Sequence, residues 1–480
     1  MNTWRWFSRW LGQRFWRFWA WTLVVAWGLG GGMIRPAVAS DLIGADDFLV
    51  IKLRDIQREF WQGPLIIRSG GTYSGHWFSD KPDVPAVQID TAEPVVIQDC
   101  QIRSRSTLIR VLKPGAQVTV RNCRASALNP QAYGRAHGRF FTAFRPDTVV
   151  IEHNLLENTA GIHLNGAFVS SRKIQIRFNR VSNIVGLQSN GMGGYLDGSA
   201  APVQFLNLER IQSSAIDVGW NEIINQPDQS RVDDNIRIFN SRGGGPKAPL
   251  LIHDNFVRGG YPFPSQLSNY SGGGIVIDGV GAKDQEQSAY VHVLDNQVIS
   301  TTNYGIGISA GYQNIVSRNR ILGANRLTPG IRAPAANVGL FVRDYNGYRL
   351  QGLFRGNRVI GNVVGWHRSD GQRNDESFSD CEPSLCSDVI HWPEDVTLSD
   401  EAEEGRRWRA KLKAQRLSLG PSADLCAPPL PVSQAQRDLW LASAPFEIAE
   451  HRGEDCSSAP THSPNLKSRP SETLTRPRRP

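Results

Sequence analysis

The chain has 480 residues, 40% of them hydrophobic, which is enough for one large core or for two ordinary domains. Its formal net charge is +8, but the first 39 residues carry five arginines and no acid, so the remainder has 48 basic against 45 acidic residues. With charges so nearly balanced, the net charge indicates neither a nucleic-acid partner nor an anionic substrate. We therefore expect no nucleic-acid partner.

Residues 1–39 have the pattern of a secretory signal peptide. An arginine-rich start is followed by an apolar run over residues 20–34 and by small residues at Ala37 and Ala39, which predicts cleavage between Ala39 and Ser40. The alternative is an uncleaved membrane anchor, although a glycine-interrupted run of about 15 residues is short for a span of roughly 20. We predict a secreted, periplasmic or cell-surface protein with no stable membrane span after cleavage.

Residues 40–62 are predicted to form an N-terminal cap, with an amphipathic helix over residues 46–60. The segment after it contains an internal repeat. The phrase apolar-x-apolar-x-x-Asn-x-apolar occurs nine times between residues 95 and 359, and its sixth position is an anchor. The anchor holds Cys100 and Cys123 in the first two copies and then Asn154, Asn179, Asn221, Asn255, Asn296, Asn319 and Asn357.

The residues around the anchors alternate with the period of a β-strand. All 18 positions that lie three before or two after an anchor are apolar. The anchors are 23 to 42 residues apart, which suits coils of short strands joined by turns of variable length. Glycine-led strands lie between them, at residues 161–165, 274–278, 305–309 and 339–343, and residues 236–240 are expected to belong with these.

This pattern predicts an all-β fold, a right-handed parallel β-helix solenoid of about nine to ten coils over residues 63–368. The anchors predict an asparagine ladder at one corner, because asparagine tolerates left-handed backbone angles and its amide can bond to the asparagine one coil away. Cys100 and Cys123 would be ladder neighbours at about 4.8 Å, a separation that a disulfide accepts. Two stacked buried thiols are the alternative.

The repeats resemble the pectate-lyase-like superfamily of right-handed parallel β-helices, in particular its sugar-hydrolase-like repeats written GIxI…xIxxN, over roughly residues 63–365. The resemblance implies the fold but no single activity, since the superfamily includes lyases, hydrolases, epimerases and proteins with no known reaction. Of the polygalacturonase NTD, DD, GHG and RIK blocks only a bare Asp-Asp is found, and the RxPxxR and DxxxD-type signatures of pectate lyases are not seen. Calcium-dependent pectate cleavage is therefore not expected.

Residues 369–456 are predicted to be a C-terminal cap and disulfide-bearing extension, because an open stack exposes strand edges. A helix opens at Ser399 with acids over residues 400–404 and bases over residues 406–416, which complements the helix dipole, and it is expected to cover the C-terminal end. Further disulfide candidates in an exported chain are Cys381 with Cys386 and Cys426 with Cys456. Residues 457–480, rich in Pro and Ser, are predicted to be a disordered tail.

Three long insertions precede the glycine-led strands, at residues 225–235, 259–273 and 322–337, and are expected to wall a groove on the outer face of those strands. Outward and loop side chains there are polar and aromatic. They predict a polysaccharide or glycan partner, because rings stack on sugars and charged groups bind hydroxyls. The substrate-binding candidates are His163, Asn165, Arg231, Asp233, Asp234, Arg237, Tyr261, Tyr270 and Ser309.

A lyase or epimerase needs a base next to a cation that neutralises a uronate carboxylate. The catalytic candidates are Lys247, Arg343, Asp278 and Arg258. A solvent-facing loop lysine is the alternative for Lys247. Hydrolysis ranks lower, because adjacent Asp233 and Asp234 diverge on an extended chain, and a non-catalytic glycan-binding or scaffold module is the competing hypothesis. No metal-site spacing or cofactor motif is found, although the sequence leaves bound calcium open.

Overall fold

The computed structural model describes residues 61–269 and 271–422, all within the compact unit that begins at Gln57. Some of the sequence predictions therefore concern residues outside the described part. These are the signal peptide and its cleavage site, the helix over residues 46–60, the contacts of Tyr270, the pair Cys426 and Cys456, and the tail over residues 457–480. Neither of the two described α-helices is long and apolar enough to cross a membrane.

The described chain is almost entirely short β-strands, numbered here in chain order. The first are β1 (Leu65–Ile67), β2 (Gly71–Tyr73), β3 (His76–Ser79), β4 (Val87–Ile89), β5 (Pro94–Gln98), β6 (Gln101–Ser104), β7 (Ile109–Val111), β8 (Gln117–Arg121), β9 (Arg124–Ala127), β10 (Phe141–Phe144), β11 (Thr148–Glu152), β12 (Leu155–Thr159), β13 (Ile162–Asn165), β14 (Lys173–Arg177), β15 (Arg180–Ile184), β16 (Leu187–Ser189), β17 (Tyr195–Ala200) and β18 (Leu206–Glu209).

The later strands are β19 (Ile216–Gly219), β20 (Glu222–Ile224), β21 (Asp234–Phe239), β22 (Leu250–His253), β23 (Phe256–Gly260), β24 (Gly273–Asp278), β25 (Val291–Leu294), β26 (Gln297–Thr301), β27 (Tyr304–Ile308), β28 (Ile315–Ser317), β29 (Arg320–Gly323), β30 (Arg326–Thr328), β31 (Ile331–Arg332), β32 (Val338–Val342), β33 (Arg358–Trp366), β34 (Glu376–Ser377) and β35 (Asp388–His391). Two 3-10 turns (Asp284–Glu286 and Tyr348–Gln351) and two helices, α1 (Pro383–Cys386) and α2 (Leu398–Gln415), complete the described elements.

The strands stack into three parallel faces, as the repeat predicts, and the fold is a parallel β-helix. Sheet 1 has the order β1-β4-β7-β10-β13-β18-β21-β24-β27-β32-β34. Sheet 2 runs from β2 and β5 through β8, β11, β14, β19, β22, β25 and β28, and sheet 3 from β3 and β6 through β9, β12, β15, β20, β23, β26 and β29 to β35. Strand β33 turns the corner between sheets 2 and 3 and pairs with both β28 and β29.

Sheet 1 has eleven strands in the described chain, slightly more than the predicted number of coils. The two additional strands are β1 and β34, whose coils have no copy of the asparagine phrase, so the repeat count misses them. The inward positions of neighbouring coils are in register and fully buried, as in Ile162, Leu206 and Ile236. Each coil therefore buries its apolar side chains against the next coil, which is the source of stability in a solenoid.

The asparagine ladder runs along the corner between sheets 2 and 3. The backbone N and the Nδ2 of Asn179 donate to Oδ1 of Asn221 at 3.1 and 2.9 Å, and Asn221 repeats both bonds to Asn255. The same contacts join Asn154, Asn179, Asn221, Asn255, Asn296, Asn319 and Asn362. The predicted ladder is confirmed, with one change at its last member.

Asn357 is not in this ladder, and the prediction that it occupies the last anchor is wrong. Asn362 holds that place, because β33 passes through the corner without interruption and moves the phrase by five residues. Asn357 belongs to a different corner, where its Oδ1 accepts from the backbone N of Asn314 at 3.1 Å.

The predicted left-handed geometry is also displaced by one residue. The positive φ falls on the residue before each anchor, as in Phe178 (58°) and Trp220 (57°), and not on the asparagine. The asparagine contributes hydrogen bonds instead: Nδ2 of Asn179 also donates to the carbonyl of Ile151 on the preceding coil at 2.9 Å. A buried amide with all its bonds made stabilises the corner, while the neighbour at the surface bends the chain.

Two of the predicted disulfides are present. Cys100 and Cys123 are bonded with their Cα atoms 4.6 Å apart, so the disulfide takes the place of one step of the ladder. The ladder begins directly after it, because Asn154 Oδ1 accepts from the backbone N of Cys123 at 3.0 Å. Cys381 and Cys386 are also bonded and close the short loop that contains α1.

Helix α2 begins one residue before the predicted start but does not cover the end of the solenoid as expected. It lies along the outer side of sheet 3, where Trp408 stacks on Phe256 at 5.7 Å and on Trp220 at 6.1 Å. The buried Glu404 pairs with Arg320 at 2.6 Å. A buried carboxylate requires a cationic partner, and Arg320 of sheet 3 supplies it for Glu404. The last coil is covered differently, because β34 pairs with β32 and β35 pairs with β33.

Candidate functional site

The outer face of sheet 1 presents its side chains in rows, because equivalent residues of successive coils are in register. The central row consists of Thr142, His163, Asn207, Arg237, Val276, Gly307 and Phe341. The following row, two residues later in each strand, contains Phe144, Asn165, Glu209, Phe239 and Asp278. The preceding row contains Asp234, Gly273, Tyr304 and Val338. The middle of this face is the candidate site.

Loops from sheet 3 to sheet 1 form one wall of the face. The predicted insertions contact one another, since Ser265 Oγ donates to Asp228 Oδ2 at 2.9 Å. Two loops that were not predicted, residues 128–140 and 185–205, extend the wall: Asn129 Nδ2 donates to the carbonyl of Gly193 at 3.0 Å, and Tyr195 meets Phe263 edge to face. The wall is therefore continuous along the middle coils.

His163 is held in place by a carboxylate from the next coil. Its Nε2 lies 2.9 Å from Glu209 Oε2, and the two side chains are 30% and 20% exposed. Burial and the charge of Arg139 lower the pKa of His163, and the opposing effect of Glu209 does not overcome them. The imidazole is therefore neutral at neutral pH, and no described group is hydrogen-bonded to its Nδ1.

Arg139 supplies a positive charge beside this pair. It precedes β10, and its Nη1 donates to the carbonyl of Ala160 at 3.1 Å. Burial lowers the pKa of Arg139 to about 10, against the attraction of Glu209, so the guanidinium remains charged at neutral pH. A neutral, oriented imidazole next to a cation is an arrangement suited to removing a proton from a carbon beside a carboxylate.

Two coils further on, Arg237 and Asp278 form an ion pair. Nη2 of Arg237 lies 2.5 Å from Asp278 Oδ2, and Ser309 Oγ donates to the other carboxylate oxygen at 2.9 Å. Burial alone would lower the pKa of Arg237, but the charge of Asp278 outweighs it and the pKa is raised. The guanidinium also lies over the ring of Phe239 at 4.3 Å. The sequence predicted all of these residues for this face except Phe239.

Asp234 and Tyr304 form a buried pair in the preceding row. The hydroxyl of Tyr304 donates to Asp234 Oδ1, although β24 lies between their strands. Burial, followed by the charge of Asp233, raises the pKa of Asp234 to about 7. Burial and the neighbouring Asp234 raise the pKa of Tyr304 well above its usual value. Asp234 therefore takes up or releases its proton around neutral pH, close to Arg237.

The remaining binding candidates are less central. Asn165 lies in the following row and accepts from the backbone N of Ala167 at 2.9 Å. Arg231 and Asp233 contact one another at 3.4 Å on the wall. Tyr261 follows directly after β23 and is buried, and burial raises its pKa to about 12.

The predicted catalytic candidates are not brought together. Arg258 lies within β23 on sheet 3, where its charge lowers the pKa of Glu401 in α2 against the larger effect of burial, so its predicted place on the groove is wrong. Lys247 is exposed on the connection from sheet 1 to sheet 2, and Arg343 is exposed over the ring of Tyr345 at 4.9 Å. No hydrogen bond or ion pair among the described residues joins either one to Asp278.

Four residues of the face were not predicted from the sequence: Arg139, Asn207, Glu209 and Tyr304. Strand β18 has no leading glycine and no asparagine anchor, so it matched neither pattern. The alternation of Leu206 and Leu208 is the signal from which Asn207 and Glu209 could have been inferred. Glu209 is 46 residues from its partner His163, and only the register of the coils joins them.

One group in the described chain could hold a metal ion. Ligand atoms of Asp375, Glu376 and His391 lie within 4.8 Å of one another on the last coils. Asp375 already accepts two hydrogen bonds from Arg373 and one from His391, which lower its pKa against the effect of burial. An ion would compete with that arginine, and the group is distant in the coil order from the middle of sheet 1.

No family model and no curated protein matches the sequence. Among solved structures, the chain is similar to a mannuronic acid specific polysaccharide family 6 lyase from human gut microbiota, at 12% identity over 77% of this chain and 94% of that chain, with a TM-score of 0.28. A likeness at that TM-score carries no argument about this protein. The fold is shown by the register of its strands, and the side chains of sheet 1 provide the evidence on function.

Proposed function

We propose that the chain is an exported polysaccharide lyase that binds an extended, uronate-containing polymer along the outer face of sheet 1. One observation carries the proposal: His163 is oriented by Glu209 through Nε2, leaves Nδ1 without a described partner, and lies beside the charged Arg139. Two disulfides in the described chain support export, because disulfides persist in oxidising compartments.

The chemistry of a uronate explains why this pair suits elimination. The hydrogen on the carbon next to the carboxylate becomes acidic only when the developing negative charge is neutralised, and Arg139 supplies the charge for that. His163 accepts the proton at Nδ1, and the electron pair of the broken C5–H bond forms a double bond between C5 and C4. The bond from C4 to the glycosidic oxygen breaks, and that oxygen takes a proton from the imidazolium. The base is thereby restored.

Other side chains of the face are proposed to bind neighbouring sugars. Arg237, Asp278 and Ser309 follow His163 along the coils, and Asn165 lies next to it. Coils about 4.8 Å apart allow successive sugars of a polymer to meet successive rungs. The exposed ring of Phe144 could stack on one of them.

The test is to incubate the purified protein with polyuronates and with neutral polysaccharides, following the absorbance of the unsaturated product and the reducing ends. We expect product from a polyuronate, and a loss of about 10²–10⁴-fold in rate for His163→Gln, the usual contribution of a general base. His292→Gln is the matched control, because His292 is a half-buried outward histidine on sheet 2. It should keep full activity.

The possible outcomes separate the hypotheses. Binding of a polyuronate with neither signal, and with no change of stereochemistry by NMR, would favour a non-catalytic glycan-binding module. A change of stereochemistry without cleavage would indicate an epimerase using the same base. If neither class of polysaccharide binds, the proposed function fails.

A further inference from the structure

Asn207 is a buried amide without a partner in the middle of the face. It lies on β18 in the central row, in register with His163 on one side and Arg237 on the other. Asn207 is 8% exposed, and no described group is hydrogen-bonded to its side chain. Its Oδ1 is buried and has no donor. The amide therefore sits between the proposed base and the next cation.

Other buried side-chain atoms of the described residues also lack a partner, but among them only Asn207 Oδ1 lies in the central row of the face. The ladder asparagines show how a buried amide is usually paired. Asn221 is fully buried, and its amide makes bonds to Asn255, to the carbonyl of Ile176 and to Asn179. A buried polar group is nearly always hydrogen-bonded, since leaving it without a partner costs free energy. A buried acceptor without a partner in the chain thus calls for a donor from outside it, either a water molecule or a ligand.

A second amide on the same rung has the same property. Gln204 lies two residues before β18 and is 1% exposed, and its Oε1 is buried without a donor. Two acceptors without partners therefore lie on this coil, and one of them, Asn207 Oδ1, is in the central row of the face. The donors that a polysaccharide offers are its hydroxyl groups.

We propose that Asn207 is the specificity-determining residue of the site and that its Oδ1 accepts a hydrogen bond from a free hydroxyl of the sugar bound at His163. This inference rests on the proposed function and deepens it. A site that pairs with a hydroxyl rejects a substrate in which the hydroxyl is blocked, because the buried acceptor then stays unpaired. The substrate class is a polyuronate with free secondary hydroxyls, not its O-acetylated form.

The first arm of the test separates recognition from structure. Replacing a residue that holds the fold together lowers the melting temperature, whereas replacing an unpaired amide by an isosteric apolar side chain removes a penalty. We expect Asn207→Leu to melt at or above the wild-type temperature without substrate. Gln175→Leu, on the outer face of sheet 2, is the matched control. If leucine does not fit, Asn207→Ala carries the same measurement.

The second arm measures recognition. With the de-acetylated polyuronate, we expect Asn207→Leu to raise KM at least tenfold with a smaller change in kcat, as loss of uniform binding does. The wild type should prefer the de-acetylated polymer over the O-acetylated one at least tenfold, and the variant should lose this preference. Gln175→Leu should retain it.

A lower melting temperature with unchanged KM and unchanged acetyl preference would assign Asn207 a structural role and overturn the inference. Failure of the proposed function looks different, because the wild-type protein itself would then bind none of the polysaccharides. In that case the assignment of Asn207 fails with it.

Discussion

The hydroxyl of Tyr304 passes over Gly273 of the intervening strand to bond with Asp234. A Cβ on Gly273 would lie 2.5 Å from the Tyr304 hydroxyl and 2.6 Å from Asp234 Oδ1, so only glycine leaves room for this bond. The contact fixes the positions of Asp234 and Tyr304 in the candidate site. It also links three consecutive coils, those of β21, β24 and β27, on their outer side.

We therefore expect Gly273→Ala to lower the free energy of unfolding by about 1–3 kcal/mol, the usual range for overpacking a well-packed site. The added methyl group must displace the tyrosine ring or the carboxylate, which leaves a buried polar group unpaired. Urea denaturation at neutral pH measures the effect. Gly63→Ala is the control, because a Cβ there meets nothing within 4 Å, and a loss of equal size in both variants would contradict the packing argument.

Asp234 should make stability depend on pH in a direction opposite to most carboxylates. Its folded pKa is about 7 against an ordinary 3.8, so the folded state binds the proton more tightly than the unfolded state between these values. The contribution of Asp234 to stability is then largest at low pH and falls as the pH rises toward 7. Between pH 5 and pH 7 the loss is about 2 kcal/mol at 1.36 kcal/mol for each pKa unit, because the carboxyl is half ionised at pH 7.

Asp234→Asn should remove this slope, because an amide keeps the size of the protonated acid without titrating. Unfolding by urea at pH 5, 6, 7 and 8 measures it in both proteins. We expect the free energy of unfolding of the variant, relative to that of the wild type, to rise with pH up to about pH 7 and then to level off. A difference that is constant across this range would mean that Asp234 is ionised throughout.

The sequence predicts the parts of this protein that repeat and misses those that do not. The ladder from Asn154 to Asn319 follows from an alternation that every coil shares. The last anchor was assigned to Asn357 because local alternation cannot show that β33 continues through the corner to Asn362.

The candidate site shows the same limit. His163 and Arg237 were found because they alternate with buried residues in recognisable strands. Glu209 and Asn207 were missed because β18 lacks both repeat signals, and Arg139 because it precedes its strand. Arg258 was misplaced, because β23 extends to Gly260 and keeps this arginine on sheet 3. Contacts between coils depend on register, which the spacing of the repeats does not give.

Asn221 in the ladder and Asn207 on sheet 1 are both buried, but only Asn221 is hydrogen-bonded through its side chain. Asn221→Ala removes bonds to Asn179, Asn255 and the carbonyl of Ile176, so several buried groups lose their partners. We expect a loss of about 2–5 kcal/mol in the free energy of unfolding. Asn207→Ala, which breaks no hydrogen bond of the described chain, should cost clearly less. Equal losses in the two variants would show that burial alone, and not bonding, sets the cost.

The electrostatic balance around His163 predicts opposite effects from its two charged neighbours. Burial and Arg139 lower the pKa of His163 below 6.5, and Glu209 raises it. Arg139→Gln should therefore raise the pKa, and Glu209→Gln should lower it further. Titration of the imidazole by NMR measures both shifts without any substrate, and His292, where burial alone lowers the pKa, serves as the internal control.

If the protein is a lyase, the acidic limb of its kcat/KM profile lies below pH 6.5 and moves upward in Arg139→Gln, because the neutral imidazole is the form that accepts the proton. A limb that stays in place while the NMR titration shifts would exclude His163 as the base.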